Sequence, residues 1–242
     1  MRKYLFFYCI ISISLFAEIC EENYPDKIPL FGDLHVHTAL SLDAATQGTI
    51  NRPDDAYRYG KGESISIQPY KDGIGQRTSK LSQPLDFMSV TDHAELLGEV
   101  NICESPELDG YSNLVCLGYR YFPKLAYFYM NGMASLAKPI SFCGDDRKNC
   151  KEATRTPWQE IIKSAEKHNA PCRFTTFIGY EWTGAKYSGN NLHRNIIFEN
   201  SSVPELPVSF YDATSREELW NKLDRECTKD CEYVVIPHNS NI

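Results

Sequence analysis

Two histidines separated by one residue, His35 and His37, lie in the stretch Pro29-Leu-Phe-Gly-Asp-Leu-His-Val-His-Thr-Ala-Leu40. They follow an apolar run, Leu30, Leu34 and Val36, that reads as a strand. Side chains two apart on a strand project to one face, so both imidazoles enter the same space. That is a chelating arrangement. The chain holds six histidines in all, and two more end similar runs: His93 in Ser-Val-Thr-Asp-His and His238 in Val-Val-Ile-Pro-His-Asn. A chance alternation of ordinary histidines does not account for three strand ends finishing this way. Imidazole combined with carboxylate is a ligand set for zinc, manganese or iron.

The elements that must position these residues are legible as a series. The first strand spans roughly Leu30 to Val36. Its following loop carries Ser41, Leu42 and Asp43, and Pro53 opens a short helix over Asp54 to Tyr59. Residues 60–82 show no clear periodicity and read as loop. Leu85 to Val90 is a buried strand that delivers Thr91-Asp92-His93. Residues 94–150 form an insertion over the strand ends, helical over Leu117 to Ala137 apart from Pro123. Its tyrosines, Tyr119, Tyr121, Tyr127 and Tyr129, either line a cleft or pack within the insertion.

Thr156-Pro157-Trp158-Gln159 has the form of a helix start, with a threonine cap and proline at the first position. Trp158, Ile161, Ile162 and Ala165 give that helix its apolar stripe. It feeds a strand from Phe174 to Tyr180 that ends at Glu181, with His193 to Phe198 as a hairpin partner. Thr214-Ser-Arg-Glu217 is a second capping box, followed by Leu219, Trp220 and Leu223 and then a strand over Tyr233 to Ile236. Helices alternating with buried strands predict an α/β parallel sheet or barrel with its ligands at the carboxyl ends of the strands. His35, His37, Asp92, His93, Glu181 and His238 are the polar residues found there.

The chain has 242 residues, 42% hydrophobic content and a formal charge of −7. That content is enough for a core, and the charge argues against a nucleic-acid-binding surface. An anionic substrate would need local positive charge, which bound divalent cations supply most strongly. Met-Arg-Lys and the apolar run Tyr4 to Phe16 predict a signal peptide over residues 1–17, with an uncleaved anchor as the alternative. The apolar run is too short to span a bilayer, so no stable membrane span is expected after leader cleavage. Cys20 raises the thought of a lipoprotein, but Ala-Glu-Ile before it is a poor match. Cleavage would leave eight of the nine cysteines. An even count in an exported chain predicts disulfides in a periplasmic or secreted protein. Cys227 and Cys231 also have the look of half a zinc site, though no second matched pair is nearby.

The motifs taken together resemble a family. Gly-Asp-Leu-His35-Val-His37-Thr, Thr-Asp92-His93, Gly-Tyr-Glu181 and Pro-His238-Asn are similar to the successive motifs of the PHP (polymerase and histidinol phosphatase) metallohydrolase superfamily. The wording Phe-Gly-Asp-Leu-His-Val-His-Thr, Gly-Tyr-Glu-Trp-Thr, Leu-His-Arg-Asn and Pro-His-Asn-Ser-Asn resembles more closely still its DUF3604 branch. The resemblance covers residues 29–242 in scattered blocks and implies a PHP-like domain over 28–242. Implied with it are a distorted seven-stranded β/α barrel, two or three divalent metal ions, and hydrolysis of a small-molecule phosphate ester. His35 and His37 would bind one metal, Glu181 would bridge to a second, and His93 and His238 would complete their shells. Asp43 matches the family's aspartate with one residue inserted. Asp92 would orient His93 or a neighbour, and His193 would contact metal or substrate. Arg194 is a candidate phosphate clamp, with a structural salt bridge as the alternative.

Two rivals stand beside this reading. An amidohydrolase also opens with His-x-His but normally bridges its metals with a lysine, where this chain has Glu181. A non-catalytic exported metal-binding protein would keep the ligands without turnover. The resemblance also implies ligands downstream of residue 242, so the barrel is expected to be incomplete and the chain to be the front part of a longer, more active and more soluble protein.

Overall fold

The computed structural model describes residues 27–185 and 191–237. The leader, Cys20 and His238 lie outside these residues. Five strands form one sheet in the order β1 (Gly32–Val36), β4 (Phe87–Val90), β5 (Thr175–Ala185), β6 (Asn191–Phe198) and β7 (Tyr233–Pro237). The first three are mutually parallel, and the β5–β6 and β6–β7 pairings are antiparallel. The expected mixture of helices and strands is therefore present, in a sheet that stays open among the described residues. It is strongly curved, because the Asn195 amide of β6 donates to the Leu34 carbonyl of β1 at 2.9 Å although the two strands are not neighbours.

Residues 60–82 contain structure that their composition conceals. Strands β2 (Ile65–Lys71) and β3 (Ile74–Ser79) form a separate antiparallel hairpin. Its turn is Asp72-Gly73, both with positive φ (52° and 75°). Asp-Gly between two short runs is the signature of that turn, and the polar strand residues hid it. The hairpin is tied to the sheet layer through Asn51, which accepts from the Tyr70 hydroxyl at 2.6 Å and donates to the Ser66 carbonyl at 3.1 Å.

The main core lies between the sheet and three helices, α2 (Pro53–Gly60), α6 (Lys148–His168) and α7 (Arg216–Glu226), and contains Tyr57, Trp158, Ile161, Tyr180, Trp182 and Leu219. Both indoles are satisfied, Trp158 by the Pro204 carbonyl at 3.0 Å and Trp182 by that of Ala213 at 3.2 Å. A second core belongs to the insertion, where α3 (Leu97–Glu104), α4 (Leu114–Tyr121) and α5 (Pro123–Ser135) pack around Cys103, Cys116, Met130 and Ile140. Disulfides join Cys103 to Cys116, Cys143 to Cys150 and Cys227 to Cys231, and Cys172 is disulfide-bonded as well. The pair Cys227 and Cys231 is thus a bridge rather than half a zinc site.

Two helix starts differ from expectation. Helix α6 begins at Lys148, nine residues before Pro157, which sits inside it. Proline there removes the hydrogen bond to the carbonyl four residues back. That carbonyl, Ala153, instead accepts from the Asn101 side chain of α3 at 2.8 Å. The helix can therefore run through the proline because a neighbouring helix replaces the missing donor. The same two helices meet at Gly98, where an added Cβ would lie 2.1 Å from the Cys150 carbonyl oxygen. In α7 the cap is Ser215, one residue later than read, with Glu218 returning to Thr214 at 2.7 Å.

Replacing Asn101 by Ala strands the Ala153 carbonyl in a buried helix pair. The expected loss is about 1–3 kcal/mol of unfolding free energy, read as a lower urea midpoint at unchanged m-value. A midpoint equal to that of the unsubstituted chain would mean the helix tolerates Pro157 by some other route.

Candidate metal centre

Strand β1 carries His35, and the chain leaves the strand just before His37. The backbone beyond this point is held by Asp92, whose buried carboxylate accepts from the Thr38 backbone N–H at 2.5 Å and from its hydroxyl at 2.7 Å. Asp92 therefore positions the residue after His37 and does not itself enter the histidine cluster. Burial pushes its carboxyl up to about 6, against the Thr38 bonds that favour the ionised form. A short helix, α1 (Leu42–Thr46), brings Asp43 back towards His37.

His93 follows β4 and is locked to β5 by backbone pairing. The Glu181 N–H donates to the Asp92 carbonyl at 3.0 Å, and the Ala94 N–H donates to the Glu181 carbonyl at 2.8 Å. Glu181 consequently lies within β5, which continues to Ala185, and not at the end of that strand as the sequence suggested. On the neighbouring strand His193 pairs with Thr183 and Asn195 with Glu181, so alternation sends Glu181, Thr183, His193 and Asn195 to one face. Arg194 shares the opposite face with Trp182. Its guanidinium lies 5.6 Å from the Trp182 ring and donates to the Leu192 carbonyl at 3.2 Å, away from the cluster.

The assembled site is built around Glu181, whose side chain is fully buried. One carboxylate oxygen, Oε2, faces His35 Nε2 at 3.0 Å and His37 Nε2 at 2.7 Å. The other, Oε1, bonds His193 Nδ1 and lies 3.8 Å from His93 Nδ1. Asp43 Oδ2 meets His37 from the far side of the ring, at Nδ1, 2.8 Å away, and lies 4.0 Å from His93 Nε2. Three groupings can each offer three ligand atoms within 4.8 Å of one another: His35 with His37 and Glu181, His37 with Asp43 and His93, and His93 with Glu181 and His193. A fourth, Glu99 with Cys143 and Cys150, has no free thiolate because the cysteines are bridged.

The electrostatics fit a cation. Burial opposes ionisation of Glu181, but hydrogen bonds from His193, His35 and His37 hold its carboxyl far below the usual range. Burial likewise opposes charge on His37, yet its bonds to Asp43 and Glu181 raise it to about 10. Desolvation drives His93 down to about 4, leaving a neutral imidazole, the form that ligates metal. The second oxygen of Asp43, Oδ1, is buried with no hydrogen-bond partner among the described residues. An orphaned carboxylate oxygen beside a neutral imidazole is an environment a divalent cation satisfies, and a cation bound there would displace the proton held by His37.

Two further residues, Thr183 and Glu95, belong to the site and escaped the sequence reading, and one of the four tyrosines it offered joins them. The Thr183 hydroxyl lies 2.8 Å from His93 Nδ1 and 3.2 Å from His193 Nδ1, setting both rings. Glu95 is buried and pushed up to about 8 by desolvation while accepting from the Thr183 and Phe210 backbone N–H groups. Tyr127 of α5 faces the cluster, the one tyrosine of the four considered that does. With Asp43, His93, Glu95 and Asn131 it lines a cavity of about 150 Å³. Gly-Tyr-Glu-Trp-Thr and Thr-Asp-His-Ala-Glu contain Thr183 and Glu95, but nothing in the sequence separates them from neighbouring polar residues. His168, in contrast, lies elsewhere and bonds Asp54 at 2.8 Å.

The raised His37 sets a sign for stability in chelator-treated protein. Its ordinary value is 6.5 and its folded value about 10, so the folded state holds the extra proton between those limits. The stabilisation is full below pH 6.5 and is lost as pH rises through about 10. The melting temperature of the chelated chain should fall across that window, and the His37→Ala variant should lack this part of the slope. A melting temperature that is flat or rising in the unsubstituted chain would contradict the arrangement.

No curated protein and no solved structure matches the chain. A family model does, over residues 24–242, under the description "Protein of unknown function (DUF3604)". That span includes every residue of the cluster, and the chain belongs to the DUF3604 family.

Proposed function

We propose that this chain is a metal-dependent hydrolase of phosphate esters and that its curved sheet is part of a PHP-type barrel. The observation that carries the reading is the division of labour at Glu181, whose two oxygens each face a different pair of imidazoles. A carboxylate used this way can join two cations. When bound, divalent metals supply a nucleophilic water at neutral pH and stabilise charge on a phosphoryl group.

The chain's own residues then have separable tasks. Asp43 fixes the His37 ring through Nδ1 and leaves Nε2 directed at Glu181. The Thr183 hydroxyl orients His93 and His193 differently, meeting each ring at Nδ1, the nitrogen that also faces Glu181. The cavity of about 150 Å³ is below the roughly 300 Å³ of a drug-sized pocket, so it suits a reacting phosphoryl group with the remainder of the substrate outside. A larger cleft of about 390 Å³ opens beside His37, bounded by Asn51, Tyr59, Tyr70 and Arg77. Arg77 shares this cleft with His37, whereas Arg194 faces away from the cluster, and Arg77 takes the role of phosphate clamp. His238 follows β7 and remains a proposed ligand. Bridging by a carboxylate in place of a lysine favours this reading over an amidohydrolase. The disulfides fit an oxidising compartment such as the periplasm or the exterior.

The test is a panel of phosphomonoesters and phosphodiesters with manganese or zinc. Turnover should be abolished by chelation, and Thr183→Val should cost about 10–100-fold in kcat/KM. Arg77→Ala should raise KM with kcat nearly unchanged. A metal-loaded chain that turns over no member of the panel would favour the non-catalytic metal-binding rival.

A further inference from the structure

The insertion presents a surface that the metal centre does not use. On α4, Leu114, Leu117 and Tyr121 recur at helical spacing and are exposed, and on α5 Leu125, Phe128 and Tyr129 form a second exposed stripe. Leu117, at 37%, is the least exposed of them, and most of the others are far more open. Leu114 is 82% accessible, Leu125 71% and Phe128 72%, with Phe122 between the helices at 67%. Soluble surfaces scatter single apolar residues but rarely gather them into one patch of aromatic and leucine side chains. The inner faces of the same helices are separately satisfied, since Cys116, Tyr119, Ala126 and Met130 fill the insertion's core. The outer residues are therefore surplus to folding.

Charge identifies what the patch fits. Between Asp109 and Asp145 the only charged residues are Arg120, Lys124 and Lys138, all cationic, in a chain whose formal charge is −7. Arg120 is committed to the fold, stacking over Tyr111 at 3.8 Å and donating to the Cys103 carbonyl at 2.8 Å. Lys124 and Lys138 are exposed, and Lys124 lies between Phe122 and Leu125 in sequence. Leucine and aromatic side chains with lysines at their margin are the composition of a helix that lies in a lipid headgroup layer. Tyrosine prefers that boundary, and lysine extends its ammonium to the phosphates while its stem stays apolar. Among the described residues no helix is long and apolar enough to cross a membrane, so the contact is with the surface.

We propose that α4 and α5 dock the protein on an anionic phospholipid bilayer. Helix α5 also supplies Tyr127 and Asn131 to the metal cavity, so the docked chain holds its candidate centre beside the membrane. The docking does not depend on which reaction, if any, that centre performs.

Flotation of the full chain with two vesicle types tests this: phosphatidylcholine alone, and phosphatidylcholine mixed with phosphatidylglycerol. The chain should float with the mixed vesicles and be partly released by added salt. Hydrogen exchange should slow over residues 114–136 on binding, which separates this surface from any contact made by the leader. Leu125→Glu combined with Phe128→Glu should lower binding by about tenfold or more. Both residues are exposed, and an unchanged melting temperature would verify the fold of the variant. Flotation with neither vesicle, or exchange unaltered over residues 114–136, would overturn the proposal. So would a self-association in sedimentation velocity that the double variant abolishes in a chain that does not float, because a second copy would then cover the patch.

Discussion

The structure depends on a carboxylate that has no access to water. An isolated buried carboxylate is costly by several kcal/mol even after relaxation, and it persists only where surrounding groups compensate it. At Glu181 the compensation comes from four imidazoles on four separate segments: β1, the loop after it, the end of β4, and β6. Two of these histidines stand at opposite extremes, His37 raised to about 10 and His93 lowered to about 4. That contrast within a few ångströms is produced by which ring meets carboxylates at both nitrogens and which is mainly desolvated. Such clustering of shifted groups marks functional sites more often than structural ones.

Backbone pairing sets the geometry before the side chains do. The parallel register of β4 with β5 brings His93 beside Glu181, and the antiparallel register of β5 with β6 brings His193 opposite Thr183. The curl recorded by the Asn195–Leu34 bond folds β1 towards β6, closing the space that His35 and His37 enter. Asp92 has a less direct task than catalysis. By holding Thr38 it fixes where the chain turns after His37. The insertion completes the enclosure with Tyr127 and Asn131 and is itself braced by two disulfides.

Much of this was legible in residue order because the relevant signals are short and local. His35 and His37 declare a shared face by alternation, and Pro53 and the stripe from Trp158 to Ala165 declare helices. What was missed depends on partners distant in sequence. Pro157 reads as a helix start unless Asn101, fifty-six positions earlier, is known to cap the carbonyl it frees. Arg194 reads as a candidate phosphate clamp for its planar fork, but neighbouring strand residues face opposite ways, and the alternation that supports His35 with His37 turns it away from the cluster here. The hairpin of β2 and β3 was hidden by polar strands, although Asp72-Gly73 was a usable turn signal. Thr183 and Glu95 could be found only from the assembled site, since their importance lies in which rings and backbone groups they touch.

The central claim is that Glu181 joins two metal positions. Elemental analysis of the purified chain after manganese or zinc loading and gel filtration, beside the Glu181→Gln variant, tests it most directly. Because the amide keeps the shape and removes the bridging charge, the account predicts about two equivalents in the unsubstituted chain and well under one in the variant. Equal metal content in the two proteins would contradict it.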